Sequence, residues 1–236
     1  MNQVQERILQ AVIFDFDGVI VDTEPLHWRA FQMVLHDEGL AFTWEEYTRF
    51  YIGFDDRDVF REVYRRSGKP VLADVLREQI DRKADAFQRL IASDPPKPYP
   101  GVLDRLREIS GHLPLALCSG ALRRDIVPVF ERYGLGALFD AVVTADDVHI
   151  SKPDPACYRK ALELLNTRRE KAVSPCGCLA IEDTSSGIAS AKGAGMRVLA
   201  VSNSHPPQAL AAADRVIDSL ENVTLDELQN WFSIGR

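Results

Sequence analysis

The fold of this chain is decided by one stretch of sequence, Ala11-Val12-Ile13-Phe14-Asp15-Phe16-Asp17-Gly18-Val19-Ile20-Val21-Asp22-Thr23. Its first four residues are apolar without alternation, which is typical of a strand that is buried on both faces of a parallel sheet. Asp15 and Asp17 follow at the end of this strand, and their side chains should point to the same side because strand residues alternate with a period of two. Gly18 then gives the chain the freedom to leave the strand.

The two acids at the strand end predict a metal site. Carboxylates held this close repel each other, so the pKa of at least one of them shifts unless a cation lies between them. Mg²⁺ is the natural cation, because it is hard and prefers oxygen ligands. The alternative is a strand that ends in a polar turn, with Asp17 and Gly18 as ordinary turn residues. The length of the pattern, which continues to Asp22 and Thr23, favours the metal site.

Length and composition allow one α/β domain or a core domain with a smaller insert. The chain has 236 residues, of which 46% are apolar, enough for a sizeable core. Its net charge of −7 argues against a nucleic-acid surface, so positive charge used to bind an anion has to be local. Residues 1–10 contain charges and no long apolar run, which argues against a signal peptide or a membrane span there. We therefore expect a cytoplasmic protein. A monomer is a separate expectation, which the sequence does not test.

The four cysteines are predicted to be free thiols. Cys176 and Cys178 flank a glycine and suggest a metal or redox pair, but no second pair or histidine cluster completes a zinc site. Together with Cys118 and Cys157 they are interpreted as mostly buried thiols of a reducing compartment.

A helical insert follows the acidic strand end. Apolar residues recur at helical spacing within 26–37, 59–66 and 71–92, and no strand pattern interrupts them. Thr43 and Glu46 have the spacing of a capping box, which predicts the start of a short additional helix. Gly53 is expected to separate this short helix from the next one.

The insert is expected to form a domain of its own. A stiff, proline-rich connection over residues 94–101 closes it, so hinges are predicted there and near Pro25. We predict a core domain of residues 1–24 and 95–236 and a helical cap of residues 25–94. A cap in this position would lie above the acidic strand end as a lid that excludes water, or it is a decorative insertion.

From residue 102 onward the pattern alternates between strands and helices, which indicates a doubly wound parallel sheet. The expected strands cover residues 115–118, 141–144, 179–181 and 198–201, with an edge strand over 215–217. The expected helices cover residues 102–109, 122–133, 156–165, 185–194 and the segment after Thr224. The fold class is therefore α/β, a doubly wound parallel sheet with an inserted all-helical cap domain.

Polar residues follow the second and third strands. In open parallel sheets, ligands bind beyond the carboxyl ends of the strands. Ser119 and Gly120 follow the second strand at the expected N-terminus of a helix, where a hydroxyl and backbone N–H groups can hold a phosphate. Lys152 follows the third strand in a loop stiffened by prolines, and its ammonium can neutralise an acid and phosphoryl oxygens. The alternatives are a helix N-cap for Ser119 and an exposed loop lysine.

Two acids follow the fourth strand. Glu182 and Asp183 can complete an octahedral Mg²⁺ shell with Asp15, the backbone carbonyl of Asp17 and water. The alternative is a pair of acids favoured near a helix start by the helix dipole.

The four strand-end motifs, in this order, resemble those of the haloacid dehalogenase superfamily: Asp15-Phe16-Asp17-Gly18, Ser119, Lys152 and Glu182-Asp183. The resemblance spans most of the core, and the insert lies where this family carries a helical cap. It implies that Asp15 is a nucleophile that forms an aspartyl-phosphate and that Asp17 is a general acid and base. Mg²⁺, Lys152 and Ser119 would share the phosphoryl oxygens. A dehalogenase needs neither the second acid nor the metal pair, so both favour phosphate chemistry.

Two residues of the insert resemble the beta-phosphoglucomutase branch of this superfamily. His27 lies at a position that this branch uses near the first motif, and the alternative is a surface residue of a cap helix. Arg57 resembles an arginine that binds a second phosphate, but it is displaced along the chain and Asp56 occupies its place. Arg57 therefore reaches a distal anion of the substrate or forms a surface ion pair.

Three functions remain open from the sequence. The main hypothesis is a Mg²⁺-dependent phosphatase that acts on a small phosphorylated metabolite, a sugar phosphate. The second is a hexose-phosphate mutase, in which the phosphorylated Asp15 transfers its group to a sugar hydroxyl instead of water. The third is a signalling module whose aspartate is phosphorylated as a message, and the insert and Asp17 weigh against it.

Overall fold

The structure, a computed structural model, describes residues 8–52, 54–167 and 169–234. Its strands are β1 (Ala11–Phe14), β2 (Leu115–Cys118), β3 (Ala141–Val143), β4 (Cys178–Glu182), β5 (Arg197–Val201) and β6 (Arg215–Ile217). They form one six-stranded sheet in the order β3-β2-β1-β4-β5-β6, and all neighbours are parallel. Because β1 pairs with both β2 and β4, it lies where the strand order reverses, which is where such sheets bind ligands.

The helices fall into two groups. The insert contains α1 (Glu24–Leu35), α2 (Trp44–Phe50), α3 (Asp56–Arg66) and α4 (Ala73–Ser93). The remaining helices, α5 (Val102–Ser110), α6 (Arg123–Tyr133), α7 (Ala156–Asn166), α8 (Ser185–Gly193) and α9 (Leu225–Ser233), accompany β2 to β6 along the chain. Alternate β1 side chains belong to two buried clusters, one with α5, α6 and α9 and one with α7 and α8. The sheet is thus covered on both faces, as its uniformly apolar strands predict.

The predicted strands and helices are present, and two helices of the insert begin earlier than their apolar spacing indicates. Helix α1 begins at Glu24, because Pro25 fits the first helical turn, where its missing N–H leaves no hydrogen bond unmade. Helix α3 begins at Asp56, because the side chain of Asp55 caps it by accepting from the backbone N–H of Asp58 at 2.8 Å. Neither signal is an apolar residue at helical spacing, so the apolar pattern alone does not show them.

The insert has an apolar core of its own, in which aromatic residues such as Phe31, Phe42 and Phe60 pack together. The capping box of Thr43 and Glu46 is present at the start of α2, as predicted. Among the described residues between 25 and 93, none lies in a strand. Gly53, which is predicted to separate two helices, lies outside the described residues.

The insert packs over the carboxyl edge of the sheet. The hydroxyl of Ser151 donates to Asp55 at 2.9 Å, and the amide of Gln88 donates to Asp125 at 2.9 Å, so hydrogen bonds join the insert to a loop and to helix α6 of the core. A cavity lies between the insert and the core. The assignment of residues 25–94 as a separate cap with hinges at both ends stays a prediction.

The cysteines differ from the prediction in one respect. Cys118 and Cys157 form a disulfide bond with their Cα atoms 5.9 Å apart, so the prediction of four free thiols is wrong for this pair. Their proximity arises because α7 packs against the end of β2, which residue spacing cannot show. Cys176 and Cys178 are free thiols, as predicted.

Within the described ranges, no helix is both long and apolar enough to cross a membrane. Residues 1–7, which make up most of the N-terminal segment considered for a signal peptide, lie outside the described residues.

Candidate active site

Side chains from successive strand ends meet at the carboxyl edge of the sheet. Asp15 directly follows β1, Glu182 ends β4, and Asp183 comes next. The backbone N–H of Asp15 donates to the carbonyl of Ile181 at 3.0 Å, which continues the pairing of β1 with β4. This pairing places the first and fourth predicted motifs side by side.

Lys152, from the loop after β3, is the cation of this cluster. Its Nζ lies 2.7 Å from Asp15 Oδ1 and 2.6 Å from Glu182 Oε1, and it donates to the backbone carbonyl of Cys118 at 3.0 Å. These acceptors use all three protons of the ammonium group, so its position is fixed. Burial opposes its charge, but Asp15 and Glu182 outweigh burial and raise the pKa of Lys152. The ammonium is therefore charged throughout the physiological pH range.

Glu182 is held almost entirely by the protein. Besides Lys152, the hydroxyl of Tyr158 donates to Glu182 Oε1 at 2.6 Å, and Thr184 donates to Oε2 at 3.4 Å. A side chain at Gly187 would collide with this carboxylate, so a glycine there makes room for it. The contacts of Glu182 make it a group that positions Lys152.

The side chain of Asp183, in contrast to that of Glu182, is not held by hydrogen bonds from the described residues. Both of its carboxylate oxygens are buried and have no hydrogen-bond partner among the described residues, which destabilises a polar group unless a ligand or water satisfies it. Asp15, Glu182 and Asp183 each offer an oxygen, and these oxygens lie within 4.8 Å of one another. Such a set can hold a metal ion, and its oxygen chemistry fits Mg²⁺.

Gly18 allows the close approach of Asp183. Its φ of 76° lies in the left-handed region, and a side chain there would collide with the carboxylate of Asp183. The glycine predicted to let the chain leave the strand thus also makes room for an acid from the fourth motif.

Lys152 alone does not balance the negative charge of Asp15, Glu182 and Asp183, and the pKa values of two of these acids are raised. Burial, together with the charges of Glu182 and Asp17, outweighs Lys152 and raises the pKa of Asp15 to about 8. Burial, together with Asp15 and Glu182, also raises the pKa of Asp183 well above its ordinary value. A carboxylate nucleophile has to be ionised, and a divalent cation beside these acids would supply the charge that Lys152 alone does not.

Asp17 faces the insert. The hydroxyl of Thr23 donates to Asp17 Oδ1, and His27 Nε2 lies 3.7 Å from the same oxygen. Burial raises the pKa of Asp17, but His27, Thr23 and the ammonium of Lys83 outweigh burial and lower it. Asp17 is therefore ionised at neutral pH, in the form that accepts a proton.

Lys83, on α4, is a residue that the sequence analysis missed. It is 0% exposed, and its Nζ lies 2.6 Å from Asp56 Oδ1 and 2.7 Å from His27 Nδ1. Asp56, Lys83, His27 and Asp17 thus form a chain of contacts from the insert to the strand end. His27 is part of this chain, so the structure places it near the site, as the resemblance to the beta-phosphoglucomutase branch suggested.

The sequence does contain a signal for Lys83. It lies at helical spacing among Ile80, Ala84 and Phe87, on the apolar face of its helix. Lysine is almost never fully buried without a partner, so a lysine in this position indicates a buried ion pair.

Ser119 and Gly120 lie beside the cluster, but not at a helix N-terminus. Helix α6 begins at Arg123, because the chain first makes a turn in which the backbone N–H of Ala121 donates to Ser119 Oγ at 3.0 Å. The prediction that this pair lies at a helix start is therefore wrong in its geometry. Gly120 lines the cavity, and a Cβ built on it meets no atom within 4 Å.

The cavity between the sheet edge and the insert has a volume of about 220 Å³. Its wall contains the sheet-side residues Asp15, Asp17, Gly120, Asp125 and Lys152 and the insert residues His27, Phe54, Asp56, Arg57 and Lys83. Arg57 is exposed at the rim and has no ion pair among the described residues. A cavity of this size admits a small molecule.

The fold and the site together define an α/β enzyme whose nucleophile candidate is an aspartate under a helical cover. The sequence model of the haloacid dehalogenase-like hydrolases matches residues 12–201. The chain belongs to this family.

Individual relatives place the chain in the phosphatase and phosphomutase branch. It is 33% identical to the phosphorylated carbohydrates phosphatase of Thermotoga maritima over 194 residues, which cover 80% of this chain and 82% of the relative. It is 28% identical to the beta-phosphoglucomutase of Bacillus subtilis over 240 residues, which cover 94% and 96% of the two chains. The crystal structure of CbbY from Rhodobacter sphaeroides in complex with phosphate matches with a TM-score of 0.83 at 26% identity, over 94% of this chain and 99% of the other. The predicted family, fold class and enzyme class are confirmed.

Proposed function

We propose that this chain is a Mg²⁺-dependent phosphatase that hydrolyses a small phosphorylated metabolite, a sugar phosphate, through an aspartyl-phosphate on Asp15. The observation that supports it best is the 2.7 Å contact between Lys152 Nζ and Asp15 Oδ1, beside the unpartnered oxygens of Asp183. Phosphoryl transfer depends mainly on positioning and charge neutralisation, and this cluster offers both. The name of the Thermotoga maritima relative supports a phosphorylated carbohydrate as the substrate.

In the first half of the reaction, the carboxylate of Asp15 attacks phosphorus and the bond from phosphorus to the leaving oxygen breaks. Asp17 gives its proton to that oxygen. Although the pKa of Asp17 is lowered in the free protein, a phosphate dianion beside it raises the pKa and favours the protonated form. The ammonium of Lys152 offsets the charge of the phosphoryl oxygens, and we expect the hydroxyl of Ser119 to donate to them.

In the second half, Asp17 takes a proton from water, and the water oxygen attacks the phosphorus of the aspartyl-phosphate. The bond between phosphorus and Asp15 breaks, which releases inorganic phosphate and restores the carboxylate. The insert covers the cavity and therefore limits the access of water to the aspartyl-phosphate in this step.

Asp15 and Asp183 are the side chains that would hold Mg²⁺, with the backbone carbonyl of Asp17 as a further ligand. When bound, the metal neutralises the acids and the phosphoryl oxygens. Glu182 was predicted as a metal residue, and its contacts with Lys152 and Tyr158 lead us to assign it the positioning role instead.

The second candidate is a hexose-phosphate mutase, like the Bacillus subtilis relative. A mutase has to hold a second phosphate at the far end of its substrate, which requires free positive charge there. In this chain Asp56 occupies the expected arginine position and pairs with Lys83 at 2.6 Å, while Arg57 lies exposed at the rim. This charge distribution favours water as the acceptor. The covered cavity disfavours a signalling module, whose phosphorylated aspartate has to be accessible to a partner protein.

The test uses purified protein with Mg²⁺ and a panel of sugar phosphates, with free phosphate and isomerised sugar measured in the same samples. We expect phosphate release that needs no bisphosphate primer and that Asp15→Asn abolishes. An Asp226→Asn variant, which changes an exposed acid far from the site, is expected to match the wild type.

Isomerisation that depends on a bisphosphate primer would favour the mutase. Phosphate release that survives in Asp15→Asn would refute the nucleophile. A cytoplasmic location, a monomeric state and the absence of nucleic-acid partners stay predictions.

A further inference from the structure

We propose that Asp125 is a specificity-determining residue of this cavity: it accepts a hydrogen bond from a hydroxyl of the leaving group, so the preferred substrates are phosphate monoesters of polyhydroxylated compounds. The proposal rests on the phosphatase function above and names the class of its leaving group.

Asp125 is a buried acid with unused acceptor capacity that faces the cavity. It lies in the first turn of α6, is 3% exposed, and lines the cavity. Its Oδ1 accepts from the amide of Gln88 at 2.9 Å, and its other carboxylate oxygen has no hydrogen-bond partner among the described residues. An ionised carboxylate accepts several hydrogen bonds, and leaving them unmade is unfavourable when the group is buried. A hydrogen-bond donor on a ligand inside the cavity would satisfy the free oxygen of Asp125.

Among the described residues, no cation forms an ion pair with Asp125. Burial raises the pKa of Asp125 and Asp56 raises it further, while Lys83 and His27 lower it without contacting the carboxylate. The ammonium of Lys83 lies within hydrogen-bond distance of Asp56 and His27, and the rings of two phenylalanines lie near the same group. The charge of Lys83 is therefore shared with other partners, and the free oxygen of Asp125 is left for a ligand.

A purely structural role explains only part of this arrangement. Acids are favoured in the first turn of a helix, and this accounts for an acid at the start of α6. It does not account for the burial of that acid in the cavity wall, because an acid at an exposed position of the first turn would stabilise the helix equally well. The hydrogen bond from Gln88, which lies on α4 of the insert, fixes the carboxylate against the insert and keeps it directed at the cavity.

The remainder of this part of the wall suits the carbon skeleton of a sugar or polyol. Phe54, Ile80, Leu122 and Val148 line the cavity together with Asp125. Binding sites for small molecules combine apolar surface with a few placed polar groups, and here the apolar surface would pack on carbon atoms while the carboxylate accepts from a hydroxyl.

The test compares two substrates in four proteins. The substrates are the best sugar phosphate of the panel and p-nitrophenyl phosphate, whose leaving group has no hydroxyl besides the ester oxygen. The proteins are the wild type, Asp125→Leu, Asp125→Asn and the control Asp85→Asn, which changes an exposed acid of α4. Folding of each variant is checked by its thermal melting curve.

For the sugar phosphate we expect kcat/KM to fall by about 10- to 100-fold in Asp125→Leu, the loss typical of a hydrogen bond to a charged group. Asp125→Asn keeps a neutral acceptor and should fall less. For p-nitrophenyl phosphate both variants should stay within about twofold of the wild type, because no hydrogen bond to the substrate is removed. Asp125→Asn also keeps an oxygen that can accept from Gln88. Asp85→Asn should change neither substrate.

An equal loss for both substrates, or no loss for either, would overturn the role of Asp125. If Asp125→Leu does not fold, Asp125→Asn decides by the same comparison. A wild type that releases phosphate from neither substrate would refute the proposed phosphatase function itself and this proposal with it.

Discussion

The two walls of the cavity balance charge differently. On the sheet side, Lys152 pairs with Asp15 and Glu182, and among the described residues no cation pairs with Asp183, so negative charge is in excess. On the insert side, Asp56 is paired with Lys83, which also contacts His27. The sheet side needs a further cation, whereas the insert side is nearly balanced by its own residues.

This difference assigns different tasks to the two walls. An excess of buried negative charge destabilises a protein, and such a cluster is expected where a metal and a phosphate bind. A balanced chain of ionic contacts has no need of a ligand, and it is suited to setting the proton state of Asp17 and the shape of the cavity. The sheet side should therefore control the rate of the chemistry, and the insert side the pH dependence and the choice of substrate.

Removal of the sheet-side cation should have the largest effect on activity. In Lys152→Met we expect kcat to fall by about 1,000-fold or more, because the acids and the phosphoryl oxygens lose the charge that offsets them. The matched control is Lys160→Met, which changes a partly exposed lysine of α7, and phosphate release is measured at saturating Mg²⁺. A loss below about tenfold would place the essential cation elsewhere.

Removal of an acid from the same side should stabilise the metal-free protein while it abolishes metal binding. In Asp183→Asn, the repulsion with Asp15 and Glu182 is relieved, so the melting temperature without metal should rise. The rise should be about 2–4 °C for each kcal/mol by which the free energy of unfolding increases. Mg²⁺ should raise the melting temperature of the wild type and not that of the variant. Scanning calorimetry with Mg²⁺ and with a chelator checks both, and an unchanged Mg²⁺ response in the variant would contradict the proposed metal site.

On the insert side, removal of His27 should shift a pH profile. His27 is one of the groups that lower the pKa of Asp17, so His27→Asn should raise that pKa. Asp17 then loses its proton only at higher pH. Because ionised Asp17 is the base of the second half-reaction, the acid limb of the kcat profile should move to higher pH when hydrolysis of the aspartyl-phosphate limits turnover. The control is His36→Asn, which changes an exposed histidine. An acid limb that stays in place in His27→Asn would show that His27 does not lower the pKa of Asp17.

The smallest effect is expected at the rim. Arg57 was predicted to bind a phosphate, but its exposed position lets water and salt screen its charge. Arg57→Ala should raise KM for a sugar monophosphate by less than about fivefold, with kcat unchanged. Initial rates over a range of substrate concentrations separate the two constants, and a large rise in KM would restore Arg57 as a principal phosphate ligand.

The same two walls differ in how far the sequence predicts them. Asp15, Lys152 and Asp183 each follow a buried strand, and the rule that parallel strands present their carboxyl ends at one edge predicts that they meet. The order of the motifs then identifies the family. This part of the site depends on strand pairing, which an apolar strand pattern reveals.

The insert side depends on contacts between helices, which no local pattern reveals. Lys83 and His27 are 56 positions apart, and they meet because α1 packs on α4. Asp125 looks like an ordinary acid of a first helical turn, and its burial is visible only when the insert covers it. The disulfide of Cys118 and Cys157 is of the same kind, because it depends on the packing of α7 against β2.

The most direct test of the central claim is to trap the phosphorylated enzyme. The protein is mixed with Mg²⁺ and a sugar phosphate, quenched in acid during turnover, reduced with borohydride to convert an aspartyl-phosphate into a stable alcohol, digested and examined by mass spectrometry. We predict that the modified residue is Asp15 in the wild type and that Asp15→Asn carries no modification. Turnover without a modified Asp15, or a modified residue elsewhere in the chain, would contradict the account.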